Sequence, residues 1–251
     1  MSENQSAEPK SLERIDPQAG AADDKVFAQT LAQHVERYEF AMRHVRDKLV
    51  LDVACGTGYG SQMLKRDGGA RRVIGVDLSS EAIREARDTY AEDGVTFVQA
   101  NLETDPLPES PVDCVVSFET IEHLEDPRRF LQTLHSVLRD DGVLIASVPT
   151  TQTSDFNRYH LHDFTPSQAR DLIESCGFEV IETKIQPLFF TVFDLMRSSN
   201  AHQWESPMPE NVWRLYMRSP AKLLYRAWML CSRFGYDVSV GVFVARKKPV
   251  S

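Results

Sequence analysis

Val50-Leu51-Asp52-Val53-Ala54-Cys55-Gly56-Thr57-Gly58-Tyr59-Gly60 carries an apolar run directly into three glycines at alternate positions. An apolar run of this length closed by a glycine turn reads as a buried strand, and the helical pattern that follows from Tyr59 to Arg66 completes a strand, a turn and a helix in direct succession. Glycine in such a turn lets the backbone bend tightly and leaves open the space where a Cβ would stand, so that a ligand can approach the main chain.

The same alternation continues on both sides. Residues 73–76 form a second short apolar run ending at Asp77, and Ser79 or Ser80 is placed to cap a helix over 81–90. Runs at 95–99 and 114–118 predict a third and a fourth strand. A helix over 127–138 with Gly142 as its stop, and a fifth strand over 143–148, come next. Upstream, Phe27, Leu31, Val35, Tyr38 and Met42 recur at three- and four-residue steps and predict a helix over 26–45. Beyond Pro149 a polar, His-rich loop precedes a helix over 167–176, a strand over 178–183 and a last strand over 238–245. The final two are expected to pair as a hairpin around a long insertion. The pattern predicts an α/β fold: a doubly wound, mostly parallel seven-stranded sheet with a helical insertion before the last strand. Such sheets bind ligands beyond the carboxyl ends of their strands.

A chain of 251 residues suits one core with extensions. Residues 1–24 are polar, contain Pro9 and Pro17 and read as a tail. Residues 25–251 form the domain, in which 186–236 is the insertion or lid. A net charge of −9 opposes sequence-independent binding of nucleic acid, which requires clustered Lys and Arg. Cys55, Cys114, Cys176 and Cys231 are scattered and form no C-x-x-C pair, so the sequence indicates neither a zinc ribbon nor a disulfide framework, and a reducing cytoplasm is the expected setting. The sequence shows neither a signal-like apolar segment nor a run approaching the roughly 20 apolar residues that a membrane span needs.

Asp77, at the end of the second strand, can accept hydrogen bonds from both hydroxyls of a ribose. With the glycine turn it points to an adenosine-containing ligand. The spacing of Gly56, Gly58 and Gly60 departs from G-x-G-x-x-G and disfavours NAD, and with it an NAD-dependent oxidoreductase. Over roughly residues 30–185 this ordered set of motifs resembles the class I S-adenosylmethionine-dependent methyltransferases, whose first motif reads much like Leu51 to Gly60 and whose acidic residue after the second strand corresponds to Asp77. The resemblance implies a Rossmann-like methyltransferase fold and a cofactor site built from Asp52, Ala54, Gly56, Gly58, Asp77, Leu78, Asn101, Leu102, Ser117 and Phe118. In it Gly56 to Gly58 would approach the methionine part, Asp77 would hold the ribose and Asn101 would reach the adenine. Asn101 stands where the family often has an acid.

The acceptor side is read from two segments. Phe118-Glu119-Thr120-Ile121-Glu122-His123-Leu124 resembles the stretch after the fourth strand in many small-molecule methyltransferases, and His123 there is either a general base or a loop anchor. Asn157-Arg158-Tyr159-His160-Leu161-His162-Asp163 gathers imidazoles, a guanidinium, a phenol and a carboxylate. With His34-x-x-Arg37-Tyr38, this loop resembles a bacterial methyltransferase group associated with polysaccharide and glycan biosynthesis. His160 is the first candidate for base or acceptor clamp, and His162 is either a second such group or the cap of the following helix. Tyr38, Tyr59, Glu119, Arg158, Tyr159 and His162 are the expected substrate contacts. A magnesium ion, if used, would draw on Glu119, Glu122, His160 and Asp163.

The insertion is rich in aromatic residues, including Trp204, Trp213, Tyr216, Tyr225 and Trp228, and 211–235 contains no acid. Arg214, Arg218, Lys222 and Arg226 recur every four residues, which fits either a solvated basic face or a peripheral surface for a lipid-linked substrate. The expected reaction is O-methylation of a sugar or glycan hydroxyl. A lipid, quinone or other secondary metabolite as acceptor is the nearest rival, and a non-catalytic sensor or scaffold that binds S-adenosylmethionine is the reading from another class.

Overall fold

The computed structural model describes residues 17, 24–154, 157, 159–197 and 216–248. Strand β1 (Leu49–Val53) is buried along its whole length, the signature of a parallel strand covered on both faces. It pairs in parallel with β2 (Arg72–Asp77) on one side and β4 (Val112–Phe118) on the other. Strand β3 (Val95–Gln99) extends the sheet beyond β2. Strand β5 (Leu138–Pro149) pairs in parallel with β4, and β7 (Gly235–Lys247) lies antiparallel between β5 and β6 (Phe178–Thr191). The order β3-β2-β1-β4-β5-β7-β6 is the expected doubly wound sheet of seven strands, its last two paired as a hairpin. The chain moves outward from β1 to β3 and then crosses back to β4, so a crevice opens between the carboxyl ends of β1 and β4.

Helices α1 (Lys25–Met42) and α2 (Tyr59–Arg66) cover one face, where Phe40, Ala41, Val45 and Leu64 pack on Val50, Val73, Val116, Ile145 and Val244. Helix α3 (Ser80–Tyr90) adds Ile83 and Ala86 against Phe97. On the other face α4 (Pro127–Val137) and α5 (Pro166–Ser175) bring Leu131, Leu134 and Ile173 onto Leu51, Ile74, Leu144 and Phe243. Helix starts follow local chemistry: Asp24, Ser79 and Asp126 each accept a backbone N–H of the first turn, and Thr165 with Gln168 forms a reciprocal capping box. Asp24, expected in the tail, is thus part of the fold. Apart from it and Pro17, the tail lies outside the described residues.

Two expectations are corrected. Gly142 does not stop α4; Leu138 passes directly into β5, where it pairs with Val112, and Gly142 lies within the strand. A Cβ there would meet the Arg139 carbonyl oxygen at 2.8 Å, so close backbone approach accounts for the glycine. Strand β6 continues past 183 to Thr191 and β7 starts at Gly235, which narrows the insertion from 186–236 to 192–234. The ladder outruns its apolar core because β6 is an edge strand sustained by pairing to β7, and the edge also tolerates Pro187. Within the insertion lie α6 (Val192–Arg197) and α7 (Pro220–Arg233), with Pro220 in the first turn of α7. Among the described residues no helix is long and apolar enough to cross a membrane.

A Cβ on Gly60 would fall inside the Tyr38 ring. Gly60→Ala is therefore expected to destabilise the fold by about 1–3 kcal/mol, read as a thermal midpoint lowered by several degrees. An unchanged midpoint would mean that α1 withdraws from α2 without cost.

Candidate cofactor and acceptor site

The turn after β1 contains three left-handed residues at alternate positions, Ala54 (φ 58°), Gly56 (φ 57°) and Gly58 (φ 92°). A Cβ on Gly58 would also stand 2.7 Å from the Phe97 ring, so that glycine is required both by its dihedral and by packing. The Gly56 N–H donates to Asp77 Oδ2 and the Ser79 N–H to Oδ1, both at 2.9 Å. Each carboxylate oxygen keeps a further lone pair, so Asp77 is oriented at the strand end and can still accept from a diol. Leu78 beside it is 60% exposed, an apolar surface at the rim of the crevice. Asn101 holds its own turn, its amide oxygen accepting from the Glu103 N–H at 2.9 Å, and Leu102 packs at the edge of the core.

Several polar atoms here have no protein partner. The hydroxyls of Thr57, Tyr59 and Ser117 are buried without hydrogen bonds, in the turn after β1, at the start of α2 and near the end of β4. Orphaned buried hydroxyls are costly, and a polar ligand in the crevice would satisfy them. Asp52, by contrast, is 1% exposed and its carboxylate accepts from Ser61 at 2.6 Å and Tyr38 at 3.4 Å. Burial pushes it up to about 7, against the hydrogen bonds from Ser61 and Tyr38. Tyr38, expected to touch substrate, is committed inside the protein: its ring packs edge-on against Tyr59 and Phe118 and covers Gly60.

On the acceptor side Glu119 sits in the left-handed region (φ 47°) at the end of β4. Its carboxylate accepts from Ser147 Oγ at 2.6 Å and faces the buried Arg37 at 3.8 Å. Arg37, which also donates to Gln186 at 3.4 Å, entered the sequence reading only within a motif, because a cation in mid-helix carries no local sign of burial. His123 Nδ1 lies 3.0 Å from the Tyr159 carbonyl oxygen, so this imidazole does anchor the loop. It meets His160 edge-on, with ring centroids 4.8 Å apart. His160 is buried, and its Nδ1 lies 2.5 Å from Thr153 Oγ1. His162 does not cap α5, a task that Thr165 performs; its Nε2 lies 2.9 Å from the Leu124 carbonyl oxygen. Arg158 lies outside the described residues, as do Trp204, Trp213 and Arg214.

Of the four residues considered for magnesium, Glu122 and His160 come together, while Glu119 and Asp163 are engaged by other partners. Asp163 accepts from the Thr153 and Ser154 N–H groups, Ser154 Oγ and Lys222 Nζ; against the upward push of burial these bonds hold it at about 2. Lys222 belongs to α7, and so does Arg226, which donates to the Gln152 carbonyl oxygen at 2.5 Å. The late helix is therefore strapped to the loop that carries His160. Tyr225 and Trp228 stack on the same helix with centroids 6.4 Å apart, and Trp228 is 57% exposed.

Asp52 generates a pH dependence. Between its unfolded value, about 4, and its folded value of about 7, the unfolded chain releases a proton that the folded protein retains. Its contribution to stability is thus complete at low pH and is lost as pH rises through about 7. Asp52→Asn should gain on the wild type over that window and hold its advantage above it in thermal denaturation at stepped pH. A difference that stays flat across the window would return Asp52 to the ordinary carboxylate range.

Known proteins were compared with this geometry. Residues 51–146 match the family model described as a methyltransferase domain. A Mycolicibacterium smegmatis protein named "Probable S-adenosylmethionine-dependent methyltransferase" is 33% identical over 184 residues, 71% of this chain and 68% of that one. A malonyl-[acyl-carrier protein] O-methyltransferase of Hahella chejuensis is 24% identical over 226 residues, 78% of this chain and 81% of that one. Among solved structures, a Bacillus halodurans chain described as a methyltransferase candidate superposes with a TM-score of 0.66 at 16% identity over 87% of this chain and 100% of that one, a likeness of fold alone. With the crevice and its Asp77 and glycine rim already in place, the extent of the first of these relationships shows that this chain belongs to the S-adenosylmethionine-dependent methyltransferases.

Proposed function

We propose that the protein transfers the methyl group of S-adenosylmethionine to a hydroxyl of a sugar or glycan acceptor. The observation that carries the cofactor half is the doubly held Asp77 carboxylate beside the exposed Leu78 and the unpartnered Thr57, Tyr59 and Ser117 hydroxyls. Asp77 accepts from the ribose diol, Leu78 and Leu102 flank the adenine, and Asn101 meets its amino edge. The Gly56 to Gly58 backbone borders the methionine moiety, and Ser117 and Phe118 border the reacting end. When bound, S-adenosylmethionine supplies a methyl group activated on a sulfonium.

The protein's own part is alignment, because holding the acceptor oxygen in line with the methyl carbon removes much of the barrier. His160 takes the proton of a hydroxyl acceptor, with Thr153 fixing its ring; His123 braces the loop at the Tyr159 carbonyl, and the Leu161 and His162 N–H groups donate to the Glu122 carbonyl beside it. The exposed Trp228 ring, stacked on the half-buried Tyr225 along the strapped α7, offers flat apolar surface of the kind that packs on sugar rings, and this favours a glycan over a fully apolar acceptor. The likeness to an O-methyltransferase of a carrier-bound acyl group is consistent with oxygen as the nucleophile.

Calorimetry with S-adenosylmethionine, S-adenosylhomocysteine and NAD tests the cofactor half. Selective binding of the adenosyl ligands is expected, weakened about 10- to 100-fold in Asp77→Ala, as for loss of hydrogen bonds to a charged group, and less in Asp77→Asn. Preference for NAD would refute the assignment. A radiolabelled methyl donor offered with sugar, lipid, quinone and acyl-carrier acceptors tests the rest. Label on a sugar oxygen supports the proposal, label on another class transfers the activity there, and tight binding without turnover on any acceptor leaves a sensor.

A further inference from the structure

Glu122, His123 and His160 offer ligand atoms that all lie within 4.8 Å of one another, with Glu122 and His160 buried and His123 partly so. We propose that these three side chains bind one divalent transition-metal ion, with zinc favoured, at the acceptor side of the crevice.

The trio is assembled from two distant segments that the backbone clamps together. The Glu122 carbonyl oxygen accepts from the Leu161 N–H at 2.8 Å and the His162 N–H at 3.3 Å, so the short 3-10 turn Ile121–His123 and the loop after β5 meet at a fixed register. Both imidazoles are oriented through Nδ1, His123 by the Tyr159 carbonyl and His160 by the Thr153 hydroxyl. An oxygen partner on one ring nitrogen is the usual way a protein sets the tautomer and direction of a metal-ligating histidine, and it assigns Nε2 as the coordinating atom of each.

The donor set decides the metal. Two imidazole nitrogens and one carboxylate suit zinc and its neighbours, whereas magnesium prefers oxygen ligands and retains its waters. A tetrahedral zinc ion with bonds of about 2.0–2.1 Å holds its donors about 3.4 Å apart. Separations within 4.8 Å exceed that spacing by an amount on the scale of a side-chain rotation. Three protein ligands leave a position for an exchangeable oxygen, and a hydroxyl bound there is easier to deprotonate; with the ion bound, His160 acts as a ligand and no longer as the base, because one Nε2 cannot both coordinate the ion and accept the proton. Use of that position by the acceptor rests on the proposed O-methylation; occupancy by the metal does not.

The tag-free protein, stripped by a chelator, is titrated with Zn2+, Co2+ and Mg2+ by calorimetry, and the Co2+ form is followed by its visible absorption. One Zn2+ per chain, competing with Co2+ and undisturbed by excess Mg2+, is expected. Stoichiometric binding should disappear in His123→Ala, His160→Ala and Glu122→Gln, and weaken about 10- to 100-fold in Thr153→Val, as for loss of an orienting partner. S-adenosylmethionine binding and the thermal midpoint of the metal-free variants show whether each is folded. Lack of Zn2+ binding by folded wild type, equal binding by the folded variants, or displacement by Mg2+ overturns the site. Hydroxyl methylation by folded protein that fails to bind Zn2+ overturns the site and leaves the proposed reaction standing. Stoichiometric zinc without metal-dependent hydroxyl methylation supports the site and removes its role in the reaction.

Discussion

A parallel sheet wound in both directions must somewhere send its chain across its own middle, and here that crossing separates β1 from β4. Neither connection can close over the gap, because each leaves on its own side. The crevice is thus a consequence of topology, and almost every group of chemical interest hangs from its rim. The Gly56 N–H to Asp77 bond ties the ends of β1 and β2 together, so the glycine turn and the carboxylate form one rigid unit. On the opposite rim, Ser147 at the end of β5 fixes Glu119 at the end of β4 through its hydroxyl and its carbonyl oxygen.

Buried charge around this crevice is managed in different ways. Asp52 sits behind the turn with two hydroxyl donors and retains its proton toward neutrality. Arg37 is nearly as buried, and faces Glu119 and Gln186. Asp163 stays ionised, because backbone N–H groups, Ser154 and Lys222 compensate its burial. This last cluster has a mechanical consequence: it fastens α7, a late helix, to the loop that presents His160. A helix that would otherwise lie as a basic face in solvent is thereby held against that loop.

The legibility of the chain divides along the range of the interactions concerned. The helix over 59–66, the strand at 95–99 and the cap at Ser79 depend on neighbours within a turn or two, and their patterns are visible in the residues themselves. Gly142 misleads because a glycine after an apolar helical run looks like a stop, while its actual constraint is the Arg139 carbonyl oxygen of its own strand, where the pairing of β5 with β4 shifts register. The full length of β6 is equally invisible locally, since Ile185 to Thr191 owe their extended form to a partner strand some 50 residues onward.

By itself the sequence determined the alternation of strands and helices, the glycine turn and the acid at the end of β2, because apolar periodicity and backbone freedom are properties of short segments. The tertiary structure alone decided that Tyr38 turns inward, that His123 and His160 face each other, that Thr153 holds one of them and that Lys222 reaches Asp163. Among these pairings, Lys222 and Asp163 are 59 positions apart, and Tyr38 and Phe118 further still. Each exists only after the sheet has set the register of its strand ends, and a side chain's chemistry specifies what it can bind but not which distant segment will be brought to it.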